Sequence, residues 1–270
     1  MTDAGRLLTL LAVGCAGLLA SACASSFGLD RSSDLERTWE EAVLVLPANN
    51  GKEPTVDNLR NVKITAELAQ IAPGRRWPVV VYMHGCTGIG NFNFFQRIAR
   101  AGYVVVAPNS MARQYRPLQC DPRSKTGGYN LFVYDFRMAE ISYALQQLSQ
   151  APWSDSENLF LIGASEGGVA AALYRGNAFN ARIIAQWTCQ GAPLVRGIAA
   201  PPETPVLSVV RADDPWYDPT RAVNQRGDCG TFLADRPDSR SIVARGTEHD
   251  VLKDVQLVQQ MVEFLDRHRR

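Results

Sequence analysis

The stretch "LFLIGASEGG" contains a serine whose neighbours are typical of a nucleophile turn. Gly163, Ser165 and Gly167 form the pattern Gly-x-Ser-x-Gly, after an apolar run and before an alanine-rich run. Where this pattern joins a buried strand to a helix, small neighbours permit a sharp turn that exposes the serine hydroxyl. A glycine-rich turn that only joins a strand to a helix fits the same letters. The interpretation therefore depends on partners elsewhere in the chain.

A serine nucleophile needs a general base, and the chain contains three histidines. His249 in "GTEHDV" follows the last apolar segment and precedes the last helical pattern, so it is the candidate base. The alternative for it is a surface histidine that caps a helix. His84 directly follows "VVVYM", where an imidazole more often braces a loop, and His268 lies in the polar run "DRHRR".

A carboxylate must hold the imidazole in one tautomer, and it is expected between the serine and the histidine in chain order. The run "RADDPW" places Asp213 and Asp214 directly after the apolar segment "PVLSVV". We predict Asp213 as the acid and keep Asp214 as the alternative, because adjacent residues in a tight turn can exchange that place. The other aspartate would be a turn former ahead of Pro215.

Backbone amides beside the serine would have to stabilise an oxyanion. The small residues of "HGCTG", directly after "VVVYM", allow the N–H groups of Cys86 or Thr87 to turn toward the serine. The N–H of Glu166, at the start of the predicted helix, is the second expected donor. We interpret the Glu166 side chain as favourable to the helix dipole, with steering of a polar substrate as the alternative.

The segment Ser110–Tyr129 is a long irregular excursion that contains several arginines. Arg113 and Arg116 are candidates for binding a substrate carboxylate, because guanidinium groups bind carboxylates bidentately. The alternative, which we favour, is a solvated loop whose charges have no function.

The elements that must position these residues are short apolar segments that alternate with helical patterns. Strands are predicted over Val43–Leu46, Val62–Leu68, Val79–Met83, Tyr103–Ala107, Leu159–Ile162, Ile183–Trp187, Val206–Val210 and Ser241–Ala244. Apolar residues recur at helical spacing from Tyr134 to Leu148 and from Leu252 to Leu265. The alternation predicts an α/β fold with a mostly parallel central sheet and helices on both faces.

Composition narrows the function classes. The 270 residues are 46% hydrophobic and 20% charged, which predicts one domain over residues 39–270. The formal net charge of +1 gives no overall attraction for nucleic acid. The cysteine spacing contains no C-x-x-C, so a zinc site has little support. The expected chemistry needs no cofactor and no metal.

The N-terminal segment predicts export. Residues 1–22 contain an arginine, an uncharged apolar run and small residues before Cys23, as a signal peptide does. The letters "LASAC" resemble the lipobox of bacterial lipoproteins, which implies a lipidated Cys23, a tether over residues 23–38 and a membrane-anchored periplasmic protein. A plain secretion signal cleaved after "ASA", and a lipobox ending at Cys15, are the alternatives.

Four further cysteines predict disulfides in an oxidising compartment. Sequence order along an α/β sheet favours Cys86 with Cys120 and Cys189 with Cys229. Four free thiols are the alternative if the chain stays in the cytoplasm.

Taken together, the motifs resemble those of the dienelactone hydrolase-like group of α/β-hydrolases. "YMHGCTG", "AGYVVVAPNSMAR", "LFLIGASEGGVAAA", "VLSVVRADDPWYDP" and "GTEHDV" follow that family's order. The resemblance implies an α/β-hydrolase fold and a triad of Ser165, Asp213 and His249, with the Cys86 and Glu166 amides as oxyanion donors. This sequence departs from the family twice. Dienelactone hydrolase itself uses a cysteine nucleophile, and the acid turn usually opens with glycine.

The resemblance implies hydrolysis of a small-molecule ester through an acyl-enzyme on Ser165. Two alternatives stay open at this point. A serine peptidase of the prolyl oligopeptidase type also has a serine followed by paired glycines. A non-catalytic binding lipoprotein could retain the same fold, because fold alone does not establish function.

Overall fold

The computed structural model describes residues 33–47, 53–71, 73–190, 192, 194–217 and 226–270. The predicted signal peptide over residues 1–22 and the predicted lipidation site Cys23 lie outside the described residues. Within the described ranges, no helix combines the length and apolar character that crossing a membrane requires.

A mostly parallel sheet forms the centre of the protein. Its eight strands are β1 Val43–Leu46, β2 Thr55–Asn58, β3 Trp77–Met83, β4 Val104–Ala107, β7 Ser154–Ala164, β8 Ala181–Ala185, β9 Val206–Arg211 and β10 Arg240–Ala244, and a separate hairpin contains β5 Cys120–Asp121 and β6 Thr126–Gly127. The order across the sheet is β10-β9-β8-β7-β3-β4-β1-β2. β1 is antiparallel to β2 and β4, and the other pairs are parallel.

Helices cover both faces of this sheet. They are α1 Asp34–Glu40, α2 Val62–Ala69, α3 Phe92–Arg100, α4 Phe132–Gln150, α5 Glu166–Leu173 and α6 Val255–Arg267. The alternation of side chains along β3 shows the two layers, because Val80 packs in a cluster with α3 and α6. Val81 packs in a second cluster with α4 and α5. The predicted fold class is confirmed.

One predicted strand is wrong. The letters "VKITAEL" alternate in polarity, but Val62–Ala69 is the helix α2. The Asn61 side chain caps this helix by accepting a hydrogen bond from the Lys63 N–H at 2.9 Å. Ile64 and Leu68, four residues apart, both pack against the core cluster on that side of the sheet. The helical spacing of these two apolar residues therefore predicts the observed structure better than the alternation of polarity does.

The predicted tether over residues 23–38 is too long. α1 begins at Asp34, where Ser33 and Glu36 form a reciprocal capping box. Thr38 is buried, and its carbonyl accepts a hydrogen bond from the Asn109 N–H at 2.8 Å. The folded unit therefore starts at Ser33 instead of residue 39.

Both predicted disulfides are present. Cys86 is bonded to Cys120, and Cys189 is bonded to Cys229. The first bond attaches the loop after β3 to the hairpin of the Ser110–Tyr129 excursion. Two disulfides are typical of proteins that fold outside the reducing cytoplasm.

Candidate active site

Ser165 lies in a strained turn at the centre of the sheet. β7 ends at Ala164 and α5 begins at Glu166, so Ser165 alone makes the change of direction. Its φ of 56° and ψ of −116° lie outside the regions that non-glycine residues favour. The Ser165 N–H donates to the Ala185 carbonyl of β8 at 2.9 Å, which anchors the turn to the neighbouring strand. Strain of this kind persists only where the surroundings enforce it.

The turn requires glycine at two positions, because backbone atoms of neighbouring residues occupy the space that a side chain would need there. A Cβ on Gly163 would lie 2.0 Å from the Gly167 carbonyl oxygen. A Cβ on Gly167 would lie 1.9 Å from the carbonyl oxygen of Met83, the last residue of β3. The first turn of α5 therefore packs directly on the end of β3, beside the "HGCTG" loop.

The structure pairs His249 with Asp214 and corrects the prediction of Asp213 as its partner. The Nδ1 atom of His249 lies 2.5 Å from Oδ2 of the buried Asp214. Asp213 is exposed, and its N–H donates to the Gly246 carbonyl at 3.2 Å. This bond continues the pairing of β9 with β10 beyond the ends of both strands. The chain therefore turns inward one residue later than we predicted.

The remaining nitrogen of His249 is available for chemistry. Trp216 lies against the imidazole, with ring centroids 5.1 Å apart. Nε2 is buried and has no hydrogen-bond partner among the described residues. A hydrogen bond to the Asp214 carboxylate uses the Nδ1–H of the imidazole, and in the neutral ring Nε2 then carries the lone pair. This is the tautomer that a general base requires.

Ser165 lies where two cavities meet. The larger cavity, of about 240 Å³, is lined by Ser165 and by side chains that include Thr87, Gln186 and His249. The smaller cavity, of about 60 Å³, is lined by Ser165 and by residues that include Tyr134, Glu166, Val169, Trp187 and Tyr217. Cys86 and Trp216 line both cavities.

Both predicted oxyanion donors lie beside Ser165. Glu166 is the first residue of α5, so its N–H has no partner within the helix. A Cβ on Gly85 would lie 3.5 Å from the Ser165 Cβ, which shows how closely the loop after β3 passes the serine. Cys86 follows directly, and its disulfide holds this loop against the excursion.

The structure places Arg113 and Arg116 in buried ion pairs. Arg113 Nε donates to Glu140 at 2.7 Å, and Arg116 Nη2 donates to Glu166 Oε1 at 2.5 Å. Their side chains are only 6% and 7% exposed, and neither lines the two cavities beside Ser165. The favoured alternative, a solvated loop, is wrong for these two residues because their side chains are buried. The clasp on a substrate carboxylate stays a prediction.

Arg137 and Glu140 complete this cluster, and the sequence interpretation missed them. Arg137 donates to Glu140 at 2.8 Å and to the His84 carbonyl at 3.0 Å, and both side chains are fully buried. A detectable signal existed, since the two opposite charges lie three residues apart among the apolar positions of α4.

His84 braces this cluster as a neutral imidazole. Its Nδ1 lies 2.7 Å from the Gly85 carbonyl, and its Nε2 accepts from the Ser110 N–H at 3.0 Å. Burial, together with the nearby Arg137 charge, holds the pKa of His84 well below its usual range. His84 is therefore a loop-bracing residue, as the sequence indicated.

Comparison with known proteins identifies the family. A model of the dienelactone hydrolase family matches residues 64–203, which is just over half of the 270-residue chain. The chain belongs to the dienelactone hydrolase family. Membership makes it a hydrolase on an esterase-like fold. No curated protein sequence matches the chain.

Solved structures similar to this dienelactone hydrolase family member support the fold. A dienelactone hydrolase candidate from Klebsiella pneumoniae has 15% identity and a TM-score of 0.52, over 84% of this chain and 99% of that one. A puromycin-hydrolyzing peptidase of Mycobacterium tuberculosis has 16% identity and a TM-score of 0.54, over 84% of this chain and 37% of that one. At such identities these similarities establish an α/β-hydrolase fold alone.

Because the Met83 carbonyl lies so close to Gly167, we predict that any side chain at position 167 destabilises the protein. In Gly167→Ala, the added Cβ meets backbone atoms that cannot rotate away, so the free energy of unfolding should fall by about 3 kcal/mol or more. Gly90→Ala is the matched control, because no atom lies within 4 Å of its added Cβ. Urea denaturation measures both variants. Equal stability of the two would contradict the packing described.

The depressed pKa of His84 predicts a loss of stability on acidification. Below the ordinary histidine pKa of about 6.5, the unfolded chain binds a proton that buried His84 refuses. The free energy of unfolding should therefore fall by up to about 1.4 kcal/mol per pH unit as the pH drops from about 6.5 toward 5. Urea denaturation and imidazole NMR measure this, with His268→Gln as control. Titration of His84 near pH 6.5 in the folded protein would refute it.

Proposed function

We propose that this member of the dienelactone hydrolase family is a serine hydrolase that cleaves carboxylic esters through an acyl-enzyme on Ser165. The observation that carries the proposal is the shared cavity. Ser165, in its strained turn, and His249 line the same space. Asp214 holds His249, whose Nε2 has no hydrogen-bond partner in the described part of the chain. A nucleophile, a base and a group that orients the base are the parts required for acyl transfer.

In the acylation step, His249 Nε2 accepts the Ser165 hydroxyl proton while Oγ attacks the ester carbonyl carbon. The carbonyl oxygen becomes an oxyanion, which the N–H groups of Cys86 and Glu166 stabilise. Asp214 stabilises the imidazolium that forms. The tetrahedral intermediate then expels the alkoxide, and His249 returns the proton to it, so that an alcohol leaves.

In the deacylation step, water replaces the alcohol. His249 removes a proton from the water as its oxygen attacks the acyl-enzyme carbonyl, and the same two amides hold the second oxyanion. Collapse of this intermediate breaks the bond to Ser165 Oγ, which takes the proton back from His249. The products are a carboxylic acid and the free enzyme.

The proposed location is the periplasmic face of a membrane, with the chain anchored through lipidated Cys23. The "LASAC" motif and the two disulfides support this proposal. Expression of the full chain in a bacterial host should give a membrane-bound protein whose first mature residue is diacylated Cys23, as mass spectrometry would show. Cys23→Ala should abolish the lipid mass and release the protein. A mature N-terminus at any other residue would refute the anchor.

The proposed reaction predicts a preference for esters that depends on Ser165. Purified protein should hydrolyse short-chain carboxylic esters, and Ser165→Ala should lower kcat by about 10³-fold or more, because it removes the nucleophile. A panel of matched peptide amides tests the peptidase alternative. A higher kcat/KM for the peptides would favour that alternative. A folded wild-type protein that turns over neither class would favour the binding lipoprotein.

The two adjacent aspartates provide a matched pair of variants. Asp214→Asn should lower kcat for ester hydrolysis by about 10⁴-fold, because the amide no longer holds the required imidazole tautomer. Asp213→Asn changes an exposed side chain and should alter kcat less than threefold. Steady-state kinetics on one ester measures both. Equal losses in the two variants, or a larger loss in Asp213→Asn, would contradict the role given to Asp214.

A further inference from the structure

Two buried polar atoms beside Ser165 have no role in the proposed mechanism. Both Glu166 Oε2 and Trp187 Nε1 lack a hydrogen-bond partner among the described residues, and both side chains line the smaller cavity. Each residue is more than nine-tenths buried. A buried polar atom without a partner is costly, so such atoms mark places where another molecule supplies the partner.

The Glu166 carboxylate accepts its hydrogen bond from the arginine cluster on one oxygen, and its second oxygen has no partner among the described residues. Oε1 accepts the Arg116 hydrogen bond at 2.5 Å and lies 3.5 Å from Arg137 Nε. Two guanidinium groups therefore already compensate the charge of this carboxylate. Oε2 remains a strong acceptor for which the described ranges supply no donor.

The chemistry of the two atoms selects the ligand group. Oε2 requires a donor, and the indole N–H of Trp187 requires an acceptor. An ammonium group has no lone pair for Trp187 and would face Arg116 and Arg137. A carboxylate has no proton for Oε2. A hydroxyl is neutral, donates, and has lone pairs.

The size of the smaller cavity limits the length of the group. The volume of about 60 Å³ is a quarter of that of the larger cavity, so the smaller cavity suits a short group. The apolar side of the cavity includes Val169 and the ring of Tyr134. A short carbon chain that bears a hydroxyl fits both the volume and the mixed polarity.

We propose that the smaller cavity binds the acyl group of esters of short hydroxy acids. The acyl hydroxyl donates to Glu166 Oε2, and an oxygen of the same acyl group accepts from Trp187 Nε1. This inference rests on the proposed ester hydrolysis, and it makes Glu166 a specificity-determining residue as well as an oxyanion donor. The smaller cavity is then the acyl side of the site, and the larger cavity beside His249 receives the alcohol.

The test compares matched esters with and without the hydroxyl. Methyl 3-hydroxybutyrate, as separate enantiomers, is compared with methyl butyrate, and methyl lactate with methyl propionate, with kcat/KM measured by acid release. The wild type should favour at least one hydroxy ester over its deoxy partner by about tenfold or more, because a hydrogen bond to a charged group is strong. Glu166→Gln and Trp187→Phe should each move that ratio toward one.

Glu140→Gln is the matched control for the loss of a buried carboxylate. Glu140 belongs to the same ionic cluster but does not line the smaller cavity, so its substitution should leave the hydroxy-to-deoxy ratio unchanged. Because the ratio compares two substrates on one protein, a general loss of folded enzyme does not alter it.

Two results would overturn the inference. One is a wild-type ratio near one for every pair, and the other is a high ratio that persists in both Glu166→Gln and Trp187→Phe. Turnover of the deoxy esters that disappears in Ser165→Ala would show that the proposed hydrolysis stands even then. Absence of turnover on all four esters would overturn the ester hydrolysis and this inference together.

Discussion

The close packing of the first turn of α5 on the carboxyl end of β3 is the constraint on which the site depends. Gly167 approaches the Met83 carbonyl so closely that no side chain fits between them. This approach keeps Ser165 in its strained conformation at the start of α5, next to Glu166, whose N–H has no partner within the helix. It also brings the loop that contains Cys86 next to the serine. The strained turn costs about 1–3 kcal/mol in isolation, so packing of this kind must enforce it.

A buried ionic cluster contacts the residue that follows Ser165 in the same turn. Its members are Arg113, Arg116, Arg137, Glu140 and Glu166. Removing these charges from water is expensive, so such a cluster contributes more to a defined geometry than to net stability. The cluster links the Ser110–Tyr129 excursion to Glu166, the residue that follows the nucleophile. The Cys86–Cys120 disulfide links the same excursion to the loop after β3. The wall of the smaller cavity is thereby fixed from two directions.

Much of the fold could be predicted because its buried strands are short apolar runs bounded by Gly, Pro or Asn. The helix α2 could not, since "VKITAEL" alternates in polarity while Ile64 and Leu68 also have helical spacing. The local sequence fits both the strand period and the helical period. Packing against the core decides in favour of the helix. The disulfide pairs were predictable because each joins cysteines that are consecutive in the chain.

The nucleophile and the base could be predicted from the sequence, but the position of the acid along the chain could not. Ser165 and His249 follow recognisable strand ends, but the choice between Asp213 and Asp214 depends on how far the β9–β10 pairing extends. No local pattern encodes that extension. The pairing of Arg116 with Glu166 joins residues 50 positions apart, so only the folded chain could show it.

The central claim is that Ser165 is an activated nucleophile. Fluorophosphonate labelling of the folded protein, mapped by mass spectrometry, tests it most directly, because the reagent bonds only to a serine that a neighbouring base activates. The account predicts one adduct on Ser165 in the wild type and none in His249→Ala. A folded wild-type protein that stays unlabelled, or an adduct on Ser165 that forms equally fast in His249→Ala, would contradict it.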